Sequence, residues 1–458
     1  MKLKYRRILY LSFITTFLII TPLVILYTAG YGYNFKRGRI EKTGILYVDS
    51  KPTGANIFIN GQLSGKTPKR FTKMLPDKYQ LEVKKDGYRP WNKEIEIRSN
   101  LTEFAEDIIL FKDALPINII EGEINFFMAS PDQRHIIYSV TKSNIEELKI
   151  YNIKSKTSET LKKIQNNVEI KFVSWSMLQN LAIFKESEKN IDNYYIVNVT
   201  TKEIKYLNEI TTQKFIFLDW GLDKDVYLYG LTTTGLFQID LTNKNIEKVI
   251  TGKISSFIFN GNTLFYISRE NGFDYLNRKI FGIQEQNIVN ETNKIKLPPG
   301  SNLILQKSRN GYITLLDQLS RDLFILTENV FENEKIENSI ILQEKANDLV
   351  WSKDNNQILY YNDFEIWTFN ILNQQKNLLT RFSELIEMVN WYYGDKYILY
   401  LVGNKIKAIE TGPTKIKNDI LLAELSEINN FTLENQGQNL YFQAQAGNLK
   451  GIFSLSLQ

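Results

Sequence analysis

The longest apolar stretch of the chain is residues 8–29, where 22 consecutive positions carry no charge. A helix needs about 20 apolar residues to cross the hydrocarbon core of a bilayer, so this stretch is long enough to span one. Tyr10 and Tyr27 lie near its two ends, where aromatic rings favour the membrane interface. Pro22 lies inside, and helices in lipid tolerate proline better than soluble helices do. The pattern predicts one transmembrane helix over residues 8–29.

Four basic residues precede this stretch: Lys2, Lys4, Arg6 and Arg7. By the positive-inside rule, residues 1–7 are a cytoplasmic tail and everything after Gly30 lies outside the membrane. A cleaved signal peptide is one alternative, although its apolar region usually spans only about 7–15 residues and ends in a small-x-small site. Residues 28–30, Thr-Ala-Gly, match such a site poorly. A buried core helix is the third interpretation.

After a juxtamembrane linker predicted for residues 30–42, apolar and polar positions alternate with period two, which indicates half-buried strands. The alternation is visible at residues 44–48, 56–59, 79–83, 94–97 and 108–111. Asn60-Gly61 follows the second of these, and this dipeptide is the most typical turn of a tight hairpin. Five short strands within about 70 residues predict a small β-sandwich or barrel over residues 43–112.

A motif with fixed spacings runs through the same segment. It reads Ser50-x-Pro52-x-Gly54-Ala55-x-Ile57-x-Ile59-Asn60-Gly61, then Gly65-x-Thr67-Pro68, Leu75-Pro76, Gly87-Tyr88 and Pro90-Trp91. On these residues the segment resembles the PEGA domain family, β modules of bacterial and archaeal surface proteins with no established catalysis. Thr53 and Asp77 depart from the family pattern without disturbing the apolar alternation. The resemblance implies core packing for Tyr88 and Trp91, with ligand binding by Trp91 as the alternative.

One pattern recurs through residues 113–458: an apolar strand, a polar turn, a second apolar strand, and a third after a further gap. The first strands end at Ala129, Trp175, Trp220, Phe259, Lys307, Trp351, Trp391 and Glu434. Their spacing agrees with the period of about 40–45 residues that four-stranded propeller blades show. We therefore predict eight blades, or seven if the weak fourth and fifth units form one.

The last unit has three strands before Gln458, so we expect its fourth strand to come from elsewhere. Residues 115–120 are an unassigned apolar stretch just before the first unit, and we predict that they pair there and close the ring. Four tryptophans share one position in the repeat, which favours packing between blades over a ligand cage: Trp175, Trp220, Trp351 and Trp391. The phrase Trp-Ser-x-Asp before an Ile-Leu-Tyr strand resembles TolB-type propeller repeats, relatives of the WD-repeat class.

Together these patterns predict an all-β ectodomain: a PEGA β-sandwich and then an approximately eight-bladed β-propeller, preceded by one transmembrane helix. Composition narrows the chemistry. The chain has no cysteine and one histidine, which excludes disulfides, thiolate zinc sites and cysteine nucleophiles. His135 lies at a turn-to-strand junction, where we expect a structural role rather than a catalytic one. Residues 61–65 have the wrong spacing for a serine nucleophile elbow, and no P-loop occurs.

The distribution of charged residues indicates neither a nucleic-acid-binding surface nor a calcium loop. The four basic residues of the N-terminal tail supply most of the formal charge of +5, leaving 5 − 4 = 1 for the remainder. The folded part shows no basic stripe of the kind that would indicate nucleic-acid binding. Asp223 and Asp225 lack the spaced ligand ladder of a calcium loop. We therefore predict no catalytic residue, no metal ligand and no cofactor.

Two functional classes remain. The first is a membrane-anchored extracytoplasmic binding or scaffold protein of the prokaryotic cell envelope, which contacts another envelope protein or a wall glycan. The second is an envelope-acting enzyme, a carboxylate-pair glycosidase or lyase with its site in the central funnel of the propeller. Candidate binding residues are Phe273 and Tyr275, within a long excursion predicted for residues 269–300. The alternative is that residues 279–283 and 287–289 are strands of the fourth blade.

Overall fold

The computed structural model describes residues 3–142, 145–165, 168–176, 180–189, 191–221, 227–281, 294–307, 309, 311–332, 336–392, 394–412, 417–434 and 437–458. The chain divides into two compact units. The first comprises Met1–Leu115, Thr414–Ile420 and Ser456–Gln458, and the second comprises Pro116–Pro413 and Leu421–Leu455.

The first unit begins with a helix, α1 (Leu3–Thr28), which contains the predicted apolar stretch and Pro22. Within it, Tyr5–Thr28 is long and apolar enough to cross a membrane, and none of the span is buried against the rest of the protein. Length and composition alone support that conclusion, and a signal sequence would satisfy the same criteria. A two-stranded hairpin follows, β1 (Tyr31–Asn34) and β2 (Arg39–Lys42), in the segment predicted as a linker.

Two facing sheets follow within residues 44–109 of this unit. The first has the order β6 (Lys69–Met74), β3 (Gly44–Lys51), β9 (Thr102–Ile109). The second has the order β5 (Gln62–Lys66), β4 (Asn56–Ile59), β7 (Asp77–Lys84), β8 (Trp91–Ile97). Leu46, Ile57 and Val83 are fully buried between them, so the predicted sandwich is confirmed. We call this part of the unit the β module.

The expectation of five strands is wrong, because the β module has seven. β5 and β6 were missed since their residues are mostly exposed and show no apolar alternation. The predicted hairpin turn is confirmed: Asn60 and Gly61 both have positive φ, 49° and 80°, as a type I′ turn requires. Trp91 is 3 % exposed and Tyr88 packs against the same core, as the packing interpretation predicts.

Eight four-stranded antiparallel sheets follow, and we number them sheet 1 to sheet 8 in chain order. Sheet 1 contains β11 (Glu123–Ala129), β12 (His135–Lys142), β13 (Ile145–Asn152) and β14 (Thr157–Ile164). Sheet 2 contains β15 (Glu169–Trp175), β16 (Leu181–Glu188), β17 (Ile191–Asn198) and β18 (Ile204–Tyr206). Sheet 3 contains β19 (Phe217–Trp220), β20 (Tyr227–Thr232), β21 (Gly235–Asp240) and β22 (Asn245–Thr251). Sheet 4 contains β23 (Lys253–Asn260), β24 (Thr263–Glu270), β25 (Phe273–Ile280) and β26 (Lys294–Lys296).

Sheet 5 contains β27 (Leu303–Gln306), β28 (Tyr312–Asp317), β29 (Asp322–Thr327) and β30 (Ile340–Lys345). Sheet 6 contains β31 (Asp348–Trp351), β32 (Gln357–Tyr361), β33 (Glu365–Asn370) and β34 (Gln375–Arg381). Sheet 7 contains β35 (Ile386–Trp391), β36 (Tyr397–Val402), β37 (Lys405–Glu410) and β38 (Asp419–Glu424). Sheet 8 contains β10 (Ile117–Glu121), β39 (Ser426–Leu433), β40 (Asn439–Ala446) and β41 (Leu449–Ser456). Short 3₁₀ helices lie at Leu207–Glu209, Glu328–Phe331 and Ile336–Ser339.

Pairing between the two ends of this region confirms the prediction for residues 115–120. β10 pairs antiparallel with β41, with Ile117 opposite Ser454. A hydrophobic core then joins sheet 8 to sheet 1, where Ile452 packs in the same cluster as Phe127. The weak fourth and fifth units each form a sheet of their own, so they are not one irregular unit.

A recurring turn explains why the third and fourth strands separate where they do. The third strand of four sheets ends in an Asn or Asp side chain that accepts bonds from the next turn: Asn152, Asn198, Asp240 and Asn370. Asp240 Oδ1, for example, accepts the backbone N–H groups of Thr242 and Asn243, both at 2.8 Å. Short Asn and Asp side chains suit this role because they reach the backbone two and three residues further on.

Candidate functional site

A cavity of about 1200 Å³ lies in the second unit, and its walls are built mainly by sheets 1 to 5. The first strands of these sheets, β11, β15, β19, β23 and β27, or the residues directly after them, supply most of the lining. Asn355 and Thr432 are contributed by sheets 6 and 8. The large ligand pockets of proteins have this scale, so we take the cavity as the candidate functional site.

Aromatic rings form one wall of the cavity. Phe217 is 41 % exposed, and its ring lies 5.7 Å from the ring of Phe257 in an edge-to-face arrangement. The Phe257 ring lies 6.4 Å from that of Phe259, which packs in turn on Tyr229 at 4.3 Å. Since the rings behind it are held by packing, Phe217 presents a rigid apolar surface to the interior of the cavity.

Charged groups are few among the described lining residues: Asp219, Lys307 and Arg309. Burial raises the pKa of the Asp219 carboxyl, while the backbone N–H of Trp220, the Ser174 hydroxyl and the charge of Lys307 oppose that shift. Burial also lowers the pKa of Lys307, helped by Arg309 and opposed by Asp219. Arg309 Nη1 donates to Asn355 Oδ1 at 3.1 Å, which holds the guanidinium at the wall. Lys307 therefore interacts electrostatically with both Asp219 and Arg309.

Neutral polar side chains make up much of the remaining surface: Ser130, Gln133, Ser174, Ser255, Ser256, Asn260, Gln306, Gln318, Asn355 and Thr432. Hydroxyl and amide groups both donate and accept hydrogen bonds. The cavity thus offers many neutral hydrogen-bonding groups, an exposed aromatic ring and three charges.

The four equivalent tryptophans all pack in cores between neighbouring sheets, as predicted. Two of them, Trp175 and Trp220, also line the cavity, which the sequence pattern did not predict. Their Nε1 atoms are buried and have no partner among the described residues. In sheets 6 and 7 the same atom is bonded: Trp351 Nε1 donates to Lys307 O at 2.8 Å, and Trp391 Nε1 to Val350 O at 2.9 Å.

A weak signal in the repeat could have identified some cavity residues. Side chains alternate between the two faces of a strand, so the residue before an inter-sheet tryptophan points away from that core. Ser174 and Asp219 directly precede Trp175 and Trp220, and Gln306 directly precedes Lys307 at the same repeat position. All three line the cavity. In sheets 2, 3 and 5, the polar residue one position before the marked repeat position therefore lies on this surface.

Phe273 and Tyr275 lie in β25, so the interpretation of residues 269–300 as one long excursion is wrong. The two residues pair with Glu270 and Ser268 of β24, and neither belongs to the described cavity lining. Phe273 is 40 % exposed, with Lys296 Nζ 3.2 Å from its ring centroid. The alternative of a strand at residues 279–283 is correct up to Ile280, and residues 287–289 lie outside the described residues. A binding role for Phe273 and Tyr275 stays a prediction.

His135 begins β12 and belongs to a turn. Ser130 Oγ donates to Asp132 Oδ1 at 2.6 Å and accepts the His135 backbone N–H at 3.1 Å. Sheet 6 repeats the arrangement with Ser352, Asp354 and Gln357. Burial lowers the pKa of His135, which favours the neutral ring. The backbone of His135 therefore takes part in the turn, and a structural role for its side chain stays a prediction.

The large cavity holds few carboxylates among its described lining residues. Asp219 is the one carboxylate among the cavity-lining residues that the structure describes, and Asp223 and Asp225 lie outside the described residues. A second cavity, of about 260 Å³, is lined by Glu123 and Glu427 among others, and Lys450 pairs with Glu427 at 3.3 Å. Across the described parts of the chain, no three His, Cys, Asp or Glu side chains are grouped to hold a metal ion.

Comparisons with known proteins bear on both regions. The PEGA domain family matches residues 43–105. No curated protein matches the chain. Among solved structures, the C-terminal WD40 domain of Sif2 is similar with a TM-score of 0.50 and 8 % identity, covering 74 % of this chain and 98 % of that one. This likeness shows the fold alone.

Two further structures are similar at lower scores, which carry no argument of their own. Sqt1 from Chaetomium thermophilum has a TM-score of 0.47 and 10 % identity, and the match covers 75 % of this chain and 100 % of that one. An oligogalacturonate lyase in complex with manganese has a TM-score of 0.44 and 10 % identity, covering 74 % of this chain and 98 % of that one. The chain thus carries an N-terminal apolar helix, a segment that matches the PEGA domain, and a β-propeller.

Proposed function

We propose that this protein is a membrane-anchored, extracytoplasmic binding protein of the prokaryotic cell envelope, and that it holds a wall glycan in the cavity of its propeller. The observation that carries the proposal is the exposed ring of Phe217 inside a cavity of about 1200 Å³ rich in hydroxyl and amide groups. The binding is not catalytic. An envelope protein is the other partner class that the sequence leaves open.

Sugar rings combine apolar C–H faces with many hydroxyl groups that both donate and accept hydrogen bonds. A cavity lined by both an aromatic ring, such as that of Phe217, and neutral polar groups, such as Ser256, complements both properties. A stable protein–protein interface instead buries roughly 1,200–2,000 Å² of total surface. The shape and lining therefore favour a glycan over a folded protein as the occupant.

The proposed location rests on α1 and its flanks. Arg7 adjoins the apolar stretch directly, whereas the first basic residue after the helix is Lys36, beyond the helix end at Thr28. Four basic residues do follow the helix closely: Lys36, Arg37, Arg39 and Lys42. The basic residues on the N-terminal side adjoin the apolar stretch more closely, and this favours a cytoplasmic N-terminus and an outside location for the two β regions.

Topology is testable because the chain contains no cysteine. Ser155 is exposed in the turn between β13 and β14, so Ser155→Cys should react with a membrane-impermeant thiol reagent in intact spheroplasts. A Lys4→Cys variant should react only after the membrane is permeabilised. The reverse pattern would place the propeller in the cytoplasm and overturn the proposed location.

Glycan binding is tested by calorimetry on the full chain in detergent, with soluble peptidoglycan fragments as the probe. Phe217→Ala should weaken binding about tenfold or more, since a central aromatic contact is typically worth more than 1 kcal/mol. Phe364→Ala is the matched control, because Phe364 is 44 % exposed but not among the described cavity residues. Equal affinities of the two variants would remove the cavity from the proposal.

An enzyme is the second candidate function, and Asp219 is the observation that favours it. A carboxyl whose pKa is raised inside a cavity, with Lys307 influencing it, is a candidate acid or base. A glycosidase or lyase would release new sugar ends from the same fragments, and Asp219→Asn would stop that release while leaving binding intact. Release of new ends by the unmodified protein would overturn the non-catalytic proposal.

A further inference from the structure

The hairpin β1–β2 begins directly after the apolar helix. α1 ends at Thr28 and β1 starts at Tyr31, so the start of the hairpin lies within about 11 Å of the helix end, whatever the path of the chain. Gly30 makes the turn with a φ of 82°, a conformation that suits glycine. The backbone N–H and the Oγ1 of Thr43 both bond to Gly30 O at 2.8 Å, and this joins the base of the hairpin to the end of the helix.

The two faces of the hairpin differ. The inner face packs against the β module: a Cβ added at Gly32 would lie 3.1 Å from Leu75 Cδ2, and Asn34 is 5 % exposed. Asn34 Nδ2 donates to Glu41 Oε2 at 3.0 Å, which ties the two strands together on that side. At Gly32 and Asn34 the inner face is therefore covered, and the Asn34 side chain is hydrogen-bonded.

The outer face is apolar and open. Tyr33 lies directly opposite Ile40 in the strand pairing, and each is 50 % exposed. Phe35, in the connecting turn, is 88 % exposed, the highest value among the exposed large hydrophobic residues that the structure describes. Its ring stands edge-on to Tyr33, with the centroids 4.9 Å apart. Three neighbouring apolar side chains thus form a patch that the β module does not cover.

Basic residues flank this patch along the chain. Lys36, Arg37, Arg39 and Lys42 outnumber Glu41 within the hairpin, giving 4 − 1 = 3 positive charges. The Lys36 side chain remains 85 % exposed although its Nζ pairs with Asp77 at 3.3 Å, and Arg39 remains 65 % exposed although it pairs with Glu41. Exposed ion pairs of this kind contribute little free energy, so Lys36 and Arg39 can leave their present carboxylates and pair with other anions.

A second contact brings the β module to the same level as the end of the helix. Lys73 of β6 places its Nζ 3.0 Å from the ring centroid of Tyr27, in the last turn of α1. A cation held on an aromatic ring at a helix end is an arrangement suited to the headgroup zone, where amphipathic rings and lysines both concentrate. Tyr27 and Lys73 thus mark the membrane boundary on this side.

We infer that the hairpin of residues 31–42 is a membrane-interface element. Tyr33, Phe35 and Ile40 enter the interfacial zone of the leaflet at the C-terminal end of α1. The basic residues of the hairpin bind anionic phospholipid headgroups there. Aromatic and aliphatic side chains beside Lys and Arg are the combination that holds peripheral segments in this zone. Continuity with α1 selects the membrane as the occupant over a protein partner. The inference rests on the proposed anchoring of α1, and the test distinguishes failure of the anchor from failure of the hairpin inference.

Single-cysteine variants of the full chain provide that test, since the unmodified protein has no cysteine. Leu18→Cys, Phe35→Cys and Leu63→Cys are each labelled with an environment-sensitive fluorophore in phosphatidylcholine vesicles. Leu18 lies within the apolar span, and Leu63 is an exposed apolar residue of β5 that matches Leu18 at 64 % exposure. Lipids carrying a quencher near the headgroup, or deep in the acyl chain, report the depth of each label.

The Leu18 label should be quenched by the deep lipid, the Phe35 label by the shallow lipid, and the Leu63 label by neither. Adding phosphatidylglycerol should strengthen shallow quenching at residue 35, and Lys36→Gln should reduce that response. An unquenched Leu18 label would overturn the anchor itself. A quenched Leu18 label with equal signals at residues 35 and 63 would overturn the hairpin inference alone and leave that apolar patch to a protein partner.

Discussion

The indole rings of sheets 2 and 3 occupy the same repeat position as those of sheets 6 and 7, yet they meet different neighbours. Trp351 and Trp391 each donate Nε1 to a carbonyl of the preceding sheet. Trp175 and Trp220 line the large cavity, and their Nε1 atoms have no partner among the described residues. One repeat position thus joins neighbouring sheets on one side of the propeller and forms the wall of the candidate site on the other. The comparison suggests that the site occupies the side where contacts between sheets are less complete.

The largest expected effect comes from removing a whole indole. Trp351 is 8 % exposed and both packed and hydrogen-bonded, so Trp351→Ala should lower the free energy of unfolding by about 3–5 kcal/mol. Trp175 is only partly buried and lacks the bond, so Trp175→Ala should cost about half as much. Denaturant unfolding followed by circular dichroism measures both losses. Equal losses would show that the two sides are equally consolidated.

A smaller change isolates the hydrogen bond. Trp391→Phe keeps a ring but removes the donor to Val350 O, so we expect a loss of about 1–2 kcal/mol. Trp220→Phe removes a buried N–H that has no partner among the described residues, so the removal of this donor should cost nothing. Denaturant unfolding measures the free energy of unfolding of both variants. A larger loss for Trp220→Phe than for Trp391→Phe would contradict the comparison.

Two aspartates on the two sides should respond to pH in opposite directions. Burial raises the pKa of Asp219, so the folded state binds its proton more tightly, and this contribution to stability is lost as pH rises above about 3.8, the ordinary value. The Ser352 hydroxyl bonded to Asp354 lowers the pKa of that carboxyl, so its contribution is present above the ordinary value and lost as pH falls through the folded-state pKa.

Asp219→Asn should therefore stabilise the protein at neutral pH relative to acidic pH, and Asp354→Asn should do the reverse. Thermal unfolding between pH 3 and pH 7, roughly the window in which carboxyl groups titrate, measures both slopes against the unmodified chain. Slopes of the same sign would mean that Asp219 is solvated like an ordinary surface carboxyl.

The smallest effect is expected at His135. Gln357 holds the equivalent place in the turn of sheet 6, where its backbone N–H bonds to Ser352 Oγ at 2.9 Å. His135→Gln should therefore change the free energy of unfolding by no more than about 0.5 kcal/mol. Glycan affinity of the same variant should match the unmodified protein. A folded variant with lost affinity would give His135 a binding role that its place in the turn does not indicate.

Several features could be predicted because they depend on local pattern. Apolar positions with period two identified strands of the β module, and the spacing of strand ends identified the units of the propeller. Asn60-Gly61 predicted its turn because few other residues accept positive φ at two successive positions. β5 and β6 were missed for the complementary reason: strands that bury few side chains leave no alternation to detect. The excursion assigned to residues 269–300 failed because the charged and polar residues of β25 conceal its alternation.

By itself, then, the sequence determined the apolar helix, the PEGA-type module, the repeated four-stranded units and the pairing of residues 115–120 with the last unit. Each of these features can be predicted because it depends on the pattern of apolar residues within a short segment of the chain. Only the tertiary structure decided that Phe217 and Asp219 share one cavity, that Trp220 lines it while Trp391 is bonded to sheet 6, and that the hairpin after the helix has one covered face. Those outcomes depend on how closely separate elements approach one another, a distance set by side chains far apart in the chain.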